Sequence, residues 1–284
     1  MGAPTAGTAM IDPVIEPIEI DLLLEAVFRR YGYDFRSYAR ASLERRTRQF
    51  LTGTGCASVS AMIPRVLHDQ EFFWRLAQCY SVSVTEMFRD PFVYRAVRES
   101  VVPALGALPR FAVWHAGCAT GEEVYSLAIV LEEEGVLDRA AIHATDFNDE
   151  VLESARKGVY AAGRMKAATQ NYLLAGGKRS LSEYYEAGCD VVEMAGSLKA
   201  RIAFANHNLT ADAGFGQMHV VFCRNVLIYF NRELQNRVLG LFTEHLACGG
   251  FLCLGAREDI RFAEVRNRYE VVDGAARIYR KKDA

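Results

Sequence analysis

Residues 113–135, VWHAGCATGEEVYSLAIVLEEEG, decide the reading of the fold. An apolar run, VWHA, passes through a turn with glycines at 117 and 121 into a segment whose apolar residues recur at helical spacing. Two glutamates, Glu122 and Glu123, stand where that helix begins. Strand, glycine turn and helix in this order form the opening unit of a doubly wound α/β sheet, whose ligands lie at the carboxyl ends of the strands. The turn has neither the G-x-G-x-x-G spacing of a dinucleotide site nor the GK[ST] ending of a P-loop. Carboxylates at a helix start suit the helix dipole and tolerate a cation, but they repel phosphate. The ligand expected here is therefore uncharged or cationic.

Further along the chain the same rhythm continues. FAVWHAG, AAIHATDF, RIAFANHNL, MHVVFCRN and GGFLCLGA each read as a buried strand of a mostly parallel sheet. Between several of them lie helical segments, EEVYSLAIVLEEEG, NDEVLESARKG and RELQNRVLGLFTEHL. The chain closes with RYEVV, a DG turn and ARIYRKK, a hairpin. A Rossmann-like, mostly parallel sheet ending in an antiparallel hairpin is the order expected of class I methyltransferases. This order places Gly117, Asp146, His207, Asn208, Arg224 and Asn225 on one rim. S-adenosylmethionine meets the charge condition at the turn, because it has a sulfonium, an ammonium, a ribose and an adenine but no phosphate. Asp146, at the end of the next strand, is placed to accept both ribose hydroxyls; its bland alternative is an N-cap for the following helix. The turn and Asp146 together favour the cofactor.

Before the sheet, from Ile18 to about Ala107, the periodicity is helical, and IDLLLEAVFRRYG, DFRSYARASLERRTRQFL, SVSAMIPRVLHD and QEFFWRLAQCY predict a small all-α domain. The expected organisation is a disordered tail over 1–15, the all-α domain over 16–92 and the methyltransferase domain over 93–284. Residues 29–48 hold seven arginines against two acids, Asp34 and Glu44, so few i,i+4 ion pairs are expected. A solvated helix face and an acidic partner are both open readings.

The formal net charge of -2 gives no footprint for nucleic acid over the whole surface. Seven scattered cysteines without a C-x-x-C pair read as reduced thiols and a cytoplasmic setting. No apolar run reaches the roughly 18 residues of a membrane span, and His115, His143 and His207 lack ligand-like spacing, so no metal is expected.

Five ordered blocks, SVSVTEMFRD (81–90), AGCATGEEVYSLA (116–128), ATDFNDEVLESARKGVY (144–160), HNL (207–209) and VVFCRNVLIYFNRELQ (220–235), resemble the CheR family, the protein-glutamate O-methyltransferases of bacterial chemotaxis. The resemblance implies that Ser83, Thr85, Arg89, Gly117, Glu123, Asp146, Asn208, Leu209, Arg224 and Asn225 hold S-adenosylmethionine, with Ser83 standing where the family usually has Asn. A late GARE, with Arg257, replaces the family's GHSE, and the resemblance implies a small β-subdomain inserted over 176–205, before the HNL strand. The implied reaction is attack by a receptor glutamate oxygen on the sulfonium methyl, leaving S-adenosylhomocysteine. Such a glutamate is already ionised at neutral pH, so positioning should supply most of the rate. Arg89 and Tyr229 are the candidates for orienting the substrate carboxylate; Arg89 serving the cofactor carboxylate instead, and Tyr229 packing in the core, are the alternatives. Glutamate-rich receptor helices would suit a basic face of Arg40, Arg45, Arg46 and Arg48. A monomer is expected. A non-catalytic module that senses the cofactor, or a methyltransferase acting on RNA or a small molecule, are the rival readings.

Overall fold

The computed structural model describes residues 14–80, 85–214 and 216–283. The expected tail falls almost wholly outside the described residues, and so does Ser83. The chain divides into two compact units, residues 1–82 with 229–234, and residues 83–228 with 235–284.

The first unit is built on four helices, α1 (Ile15–Tyr31), α2 (Arg40–Thr52), α3 (Ile63–His68) and α4 (Gln70–Tyr80). On α1, Ile20, Leu23, Leu24 and Val27 are buried, an i, i+3, i+4, i+7 stripe. The helix ends at Gly32, whose N–H donates to the Phe28 carbonyl from a left-handed backbone. α2 begins at Arg40, not at Asp34 as the periodicity suggests. The Asp34 carboxylate accepts from the backbone N–H and the guanidinium of Arg36, a local turn that competes with helix. The late segment 229–234 completes this unit: Ala39 N–H donates to the Tyr229 carbonyl and Asn231 N–H to the Ser37 carbonyl, both at 2.8 Å. Tyr38 and Phe230, paired across this short antiparallel contact, meet edge to face.

In the second unit the main sheet is formed by β1 (Phe111–Ala116), β2 (Ala140–Asp146), β6 (Ile202–Asn206), β7 (Met218–Cys223), β8 (Leu246–Leu254), β9 (Tyr269–Asp273) and β10 (Ile278–Lys281). A small antiparallel sheet holds β3 (Val159–Ala161), β4 (Tyr185–Ala187) and β5 (Val191–Met194). The main sheet runs β6-β2-β1-β7-β8-β10-β9. Its first four pairings are parallel, and β10 pairs antiparallel with both β8 and β9. This is the class I methyltransferase architecture, closed by the expected hairpin. The central strands are buried on both faces, as their unbroken apolar runs require. β6 is an edge strand and half exposed, which corrects its reading as a buried one. The small sheet draws its first strand from 159–161, upstream of the 176–205 window, and the last residues of that window, 202–205, lie in β6 of the main sheet.

The helices of this unit are α5 (Pro91–Ala96), α6 (Val102–Gly106), α7 (Glu122–Glu133), α8 (Asp149–Lys157), α9 (Met165–Leu174), α10 (Gly196–Lys199) and α11 (Arg232–His245). From β1 the chain proceeds to β2 on one side and later returns to β7 on the other. The crevice between β1 and β7 is the topological switch point, where open α/β sheets bind their ligands.

Candidate functional site

Two turns face each other at that switch point. After β1, the N–H groups of Gly117 and Cys118 both donate to the Thr145 carbonyl at the end of β2. Gly117 has φ +82°, and a Cβ there would come within 2.5 Å of the Val226 side chain, on the turn after β7. Gly121 has φ +90° and sits against Ala155. Glycine is thus required at both positions, by handedness and by close approach.

Asp146 closes this cradle. One carboxylate oxygen accepts from the Ala119 N–H at 3.0 Å and the other from the Asn148 N–H at 3.1 Å. Asn148, not Asp146, caps α8, its side chain accepting from the Glu150 N–H, so the capping alternative falls away. Burial pushes the Asp146 carboxyl up, and the backbone amides of Asn148 and Ala119 pull against that shift. His207 N–H donates to the Asp146 carbonyl, bringing the Asn208–Leu209 turn to the same rim. Asn208 Oδ1 is engaged locally by the N–H and hydroxyl of Thr210.

Beside this cradle lies a buried chain of charges. Glu123 accepts from Arg224 Nη1 at 3.0 Å on one oxygen, and its other oxygen lies 3.1 Å from His115 Nδ1. Arg224 also donates to the Asp90 carboxylate at 2.8 Å and to the Arg89 carbonyl at 3.0 Å. Burial pushes Glu123 up, but the His115 hydrogen bond and the Arg224 charge outweigh it and hold the carboxyl below the usual range. The Arg224 side chain is fully enclosed, 0% exposed. The Arg224 guanidinium, which sequence reasoning placed at the rim, ties the 85–90 loop to the start of α7. Asp90 and His115, both missed from sequence, complete this clamp.

The loop so held carries Thr85 and Arg89. Phe88 is buried between the rings of Tyr94 and Tyr172, and its N–H donates to Ser126 on α7. Among the described residues five non-glycine residues have positive φ, and four of these, Phe88, Asp90, Ala119 and Asn225, lie in the two turns and this loop. Such backbone costs on the order of 1–3 kcal/mol per residue and concentrates where a structure is held for function. A cavity of about 340 Å³ opens beside the loop, lined by Thr85, Arg89, Glu122, Tyr160 and Arg164 among others. Glu122 does not share the role of Glu123. It is buried, accepts from the Thr120 hydroxyl at 2.6 Å and pairs with Arg164 at 3.1 Å.

Asn225 is fixed by a residue that sequence reasoning passed over. The Glu258 carboxylate, 4% exposed, accepts from the N–H groups of Gly255 (2.7 Å), Asn225 (3.0 Å) and Ile228 (3.2 Å). It is the last residue of GARE, so the acid of that motif holds the turn after β7. A buried acid beside a late glycine strand was the available signal.

Tyr229 belongs to the helical unit, where it is half-buried with its ring 5.1 Å from the Arg46 guanidinium. The basic helix there differs from its expected form. Arg40 pairs with Asp21 and Glu44, Arg48 with Glu16 and Glu44, and Arg46 is buried against the Cys79 and Tyr80 carbonyls at 2.9 and 3.0 Å. The acids thought to be missing come largely from α1. Arg45 is exposed and makes no ion pair among the described residues. Arg46→Ala is expected to destabilise the protein by about 2 kcal/mol, because two inward carbonyls lose a charged donor. Arg45→Ala is expected to be neutral, and urea denaturation of the two variants checks both.

No described helix is long and apolar enough to cross a membrane, and the described residues hold no group of three or more potential metal ligands. Residues 83–278 match the family described as CheR methyltransferase, SAM binding domain, and residues 18–79 match CheR methyltransferase, all-alpha domain. A protein of Pseudomonas putida bearing the provisional name methyltransferase Cher3 is 48% identical, over 93% of this chain and 97% of its own. Chemotaxis protein methyltransferase 1 of Pseudomonas aeruginosa is 31% identical over 70% of this chain and 73% of its own. A chemotaxis protein methyltransferase of Vibrio parahaemolyticus is 29% identical over 76% and 79%. Both the helices and the sheet that carries the rim are accounted for by these matches, and the chain belongs to the CheR methyltransferase family, whose sheet domain binds S-adenosylmethionine.

Proposed function

We propose that this chain methylates glutamate side chains of a chemoreceptor. Relatives named as chemotaxis protein methyltransferases support that substrate class. The observation that carries the reading is the pair of turns at the switch point, with Asp146 closing one and the Arg224 clamp fixing Arg89 beside the other. S-adenosylmethionine, when bound, supplies an electrophilic methyl on a sulfonium and takes back the electron pair as the thioether of S-adenosylhomocysteine.

The chain's own residues then have separable tasks. Asp146 and the Gly117–Ala119 backbone suit a ribose. Glu123 presents a carboxylate kept ionised by Arg224 and His115, suited to an ammonium. Thr85 and Arg89, at the cavity, suit a carboxylate, either that of the cofactor's amino-acid end or that of the substrate. With an ionised glutamate as nucleophile no side chain is required to remove a proton, and the rate comes from orientation. On the helical unit Arg45, with the outer parts of Arg40 and Arg48, remains the surface for an acidic receptor helix.

Asp146→Asn tests the cofactor half of this reading. The substitution keeps the shape but replaces one acceptor by a donor facing an N–H, and binding of S-adenosylhomocysteine is expected to weaken by about 10- to 100-fold, or 1–3 kcal/mol. Calorimetry reads this directly, and unchanged affinity would remove Asp146 from the site. Incubation with methyl-labelled cofactor and receptor-bearing membranes tests the substrate half. Base-labile label on a receptor-sized band is expected, and base-stable label would point to another acceptor.

A further inference from the structure

His115 is the penultimate residue of the buried parallel strand β1, where an apolar residue would ordinarily pack. Its side chain is 0% exposed, and its ring stacks on Phe222 of β7 with centroids 4.9 Å apart. Nδ1 lies 3.1 Å from Glu123 Oε1, while the other Glu123 oxygen takes the Arg224 hydrogen bond. An ionised carboxylate can only accept, so Nδ1 is the donor in this contact. Nε2 is buried and has no hydrogen-bond partner in the structure. Leaving a buried nitrogen unsatisfied is unfavourable, and a phenylalanine or valine would avoid it. The position therefore retains something an apolar residue lacks, a donor at Nδ1.

We propose that His115 is a positioning residue for cofactor binding, fixing the Glu123 carboxylate from the strand side so that Arg224 and His115 together set its plane toward a cationic amine. The inference rests on the reading of Glu123 as a cofactor contact. With Arg224 alone, Glu123 could rotate about its end-to-end axis and remain paired. The second anchor removes that freedom before the ligand arrives, which is how preorganisation raises affinity.

The test uses the full chain and S-adenosylhomocysteine as the titrant, comparing His115→Asn, His115→Gln and His115→Phe. The asparagine amide nitrogen can occupy the place of Nδ1, whereas the glutamine amide nitrogen reaches the place of Nε2. His115→Asn is expected to bind within about threefold of the wild type, and His115→Gln and His115→Phe to bind at least about tenfold more weakly. The thermal midpoint of ligand-free His115→Phe is expected to equal or exceed that of the wild type, since the orphan nitrogen is gone. Wild-type affinity in His115→Phe, or equal losses in the asparagine and glutamine variants, would overturn the proposal. Should His115→Phe not fold, the contrast between the two amides decides alone. If the wild type itself takes up no S-adenosylhomocysteine, the cofactor reading of the site fails instead.

Discussion

Arg224→Met is expected to lower the unfolding free energy by about 3–5 kcal/mol, the usual effect of removing one member of a buried ion pair, and to abolish measurable uptake of S-adenosylhomocysteine. Methionine fills much of the space and packs on Tyr94, over whose ring the guanidinium lies at 5.8 Å. It leaves Asp90, Glu123 and the Arg89 carbonyl without their shared donor. Asp90 and Glu123 would then lack the cation they share, with only His115 left on Glu123. The 85–90 loop, held in left-handed backbone at Phe88 and Asp90, loses its anchor and Arg89 loses its place. Arg224→Lys keeps the charge, but an ammonium cannot fork to both carboxylates, and about half of the loss is expected to return.

The pH dependence gives an independent reading of the same clamp. Glu123 is held below its ordinary value of 4.5. A carboxyl so depressed adds stability above its unfolded value and gives that stability up as pH falls through its folded value. In Arg224→Met the largest opposing charge is gone, burial raises the group, and the acid-side decline should flatten. Guanidinium denaturation at several pH values checks both statements. A variant within about 1 kcal/mol of the wild type, an amount typical of exposed pairs, would show that the clamp is not what holds the loop.

Glu258→Ala carries the second large expectation, a loss of about 3–5 kcal/mol, because three inward backbone N–H groups lose their acceptor and a cavity is left. Asn225, at φ 62°, then has nothing to hold its unfavourable backbone. Gly255 shows how tight the arrangement is, since a Cβ there would come within 2.8 Å of both the Glu258 carboxylate and the Asn225 nitrogen. Glu258→Gln keeps the shape but turns one acceptor into a donor, and about half the loss is expected. In both variants methyl transfer should fall by more than stability alone predicts at temperatures where the protein is folded, with KM for the cofactor rising first. Steady-state kinetics well below the thermal midpoint checks this, and unchanged KM would confine Glu258 to stability.

What the sequence made legible follows from the range of the forces involved. The turn after β1, Asp146 and the strand and helix order depend on neighbours within one βαβ unit, so glycine placement and periodicity reveal them. The roles of Arg224, Arg40 and Arg48 depend on acids far away in the chain, Glu123, Asp90, Asp21 and Glu16. Counting charges within one helical segment cannot find such partners, and it made the basic helix look emptier of acids than it is. β6 reads like the other strands because alternation reports a pleat and not whether a further strand covers the edge. His115 escaped attention because it sits in an apolar run, where one polar residue looks like tolerated noise, and Glu258 because it stands between two other charges, Arg257 and Asp259.

The contact of Ser37–Ala39 with Tyr229–Asn231 bears on how such enzymes can be recombined. The two family matches abut near residue 80 and invite the view of separable cassettes. Yet Phe230, 5% exposed, is a core residue of the helical unit although its codon lies deep within the other. A chimera joined at that apparent seam would import helices whose last packing piece is encoded by a foreign host. Successful exchanges between members should therefore be those that transplant both stretches at once.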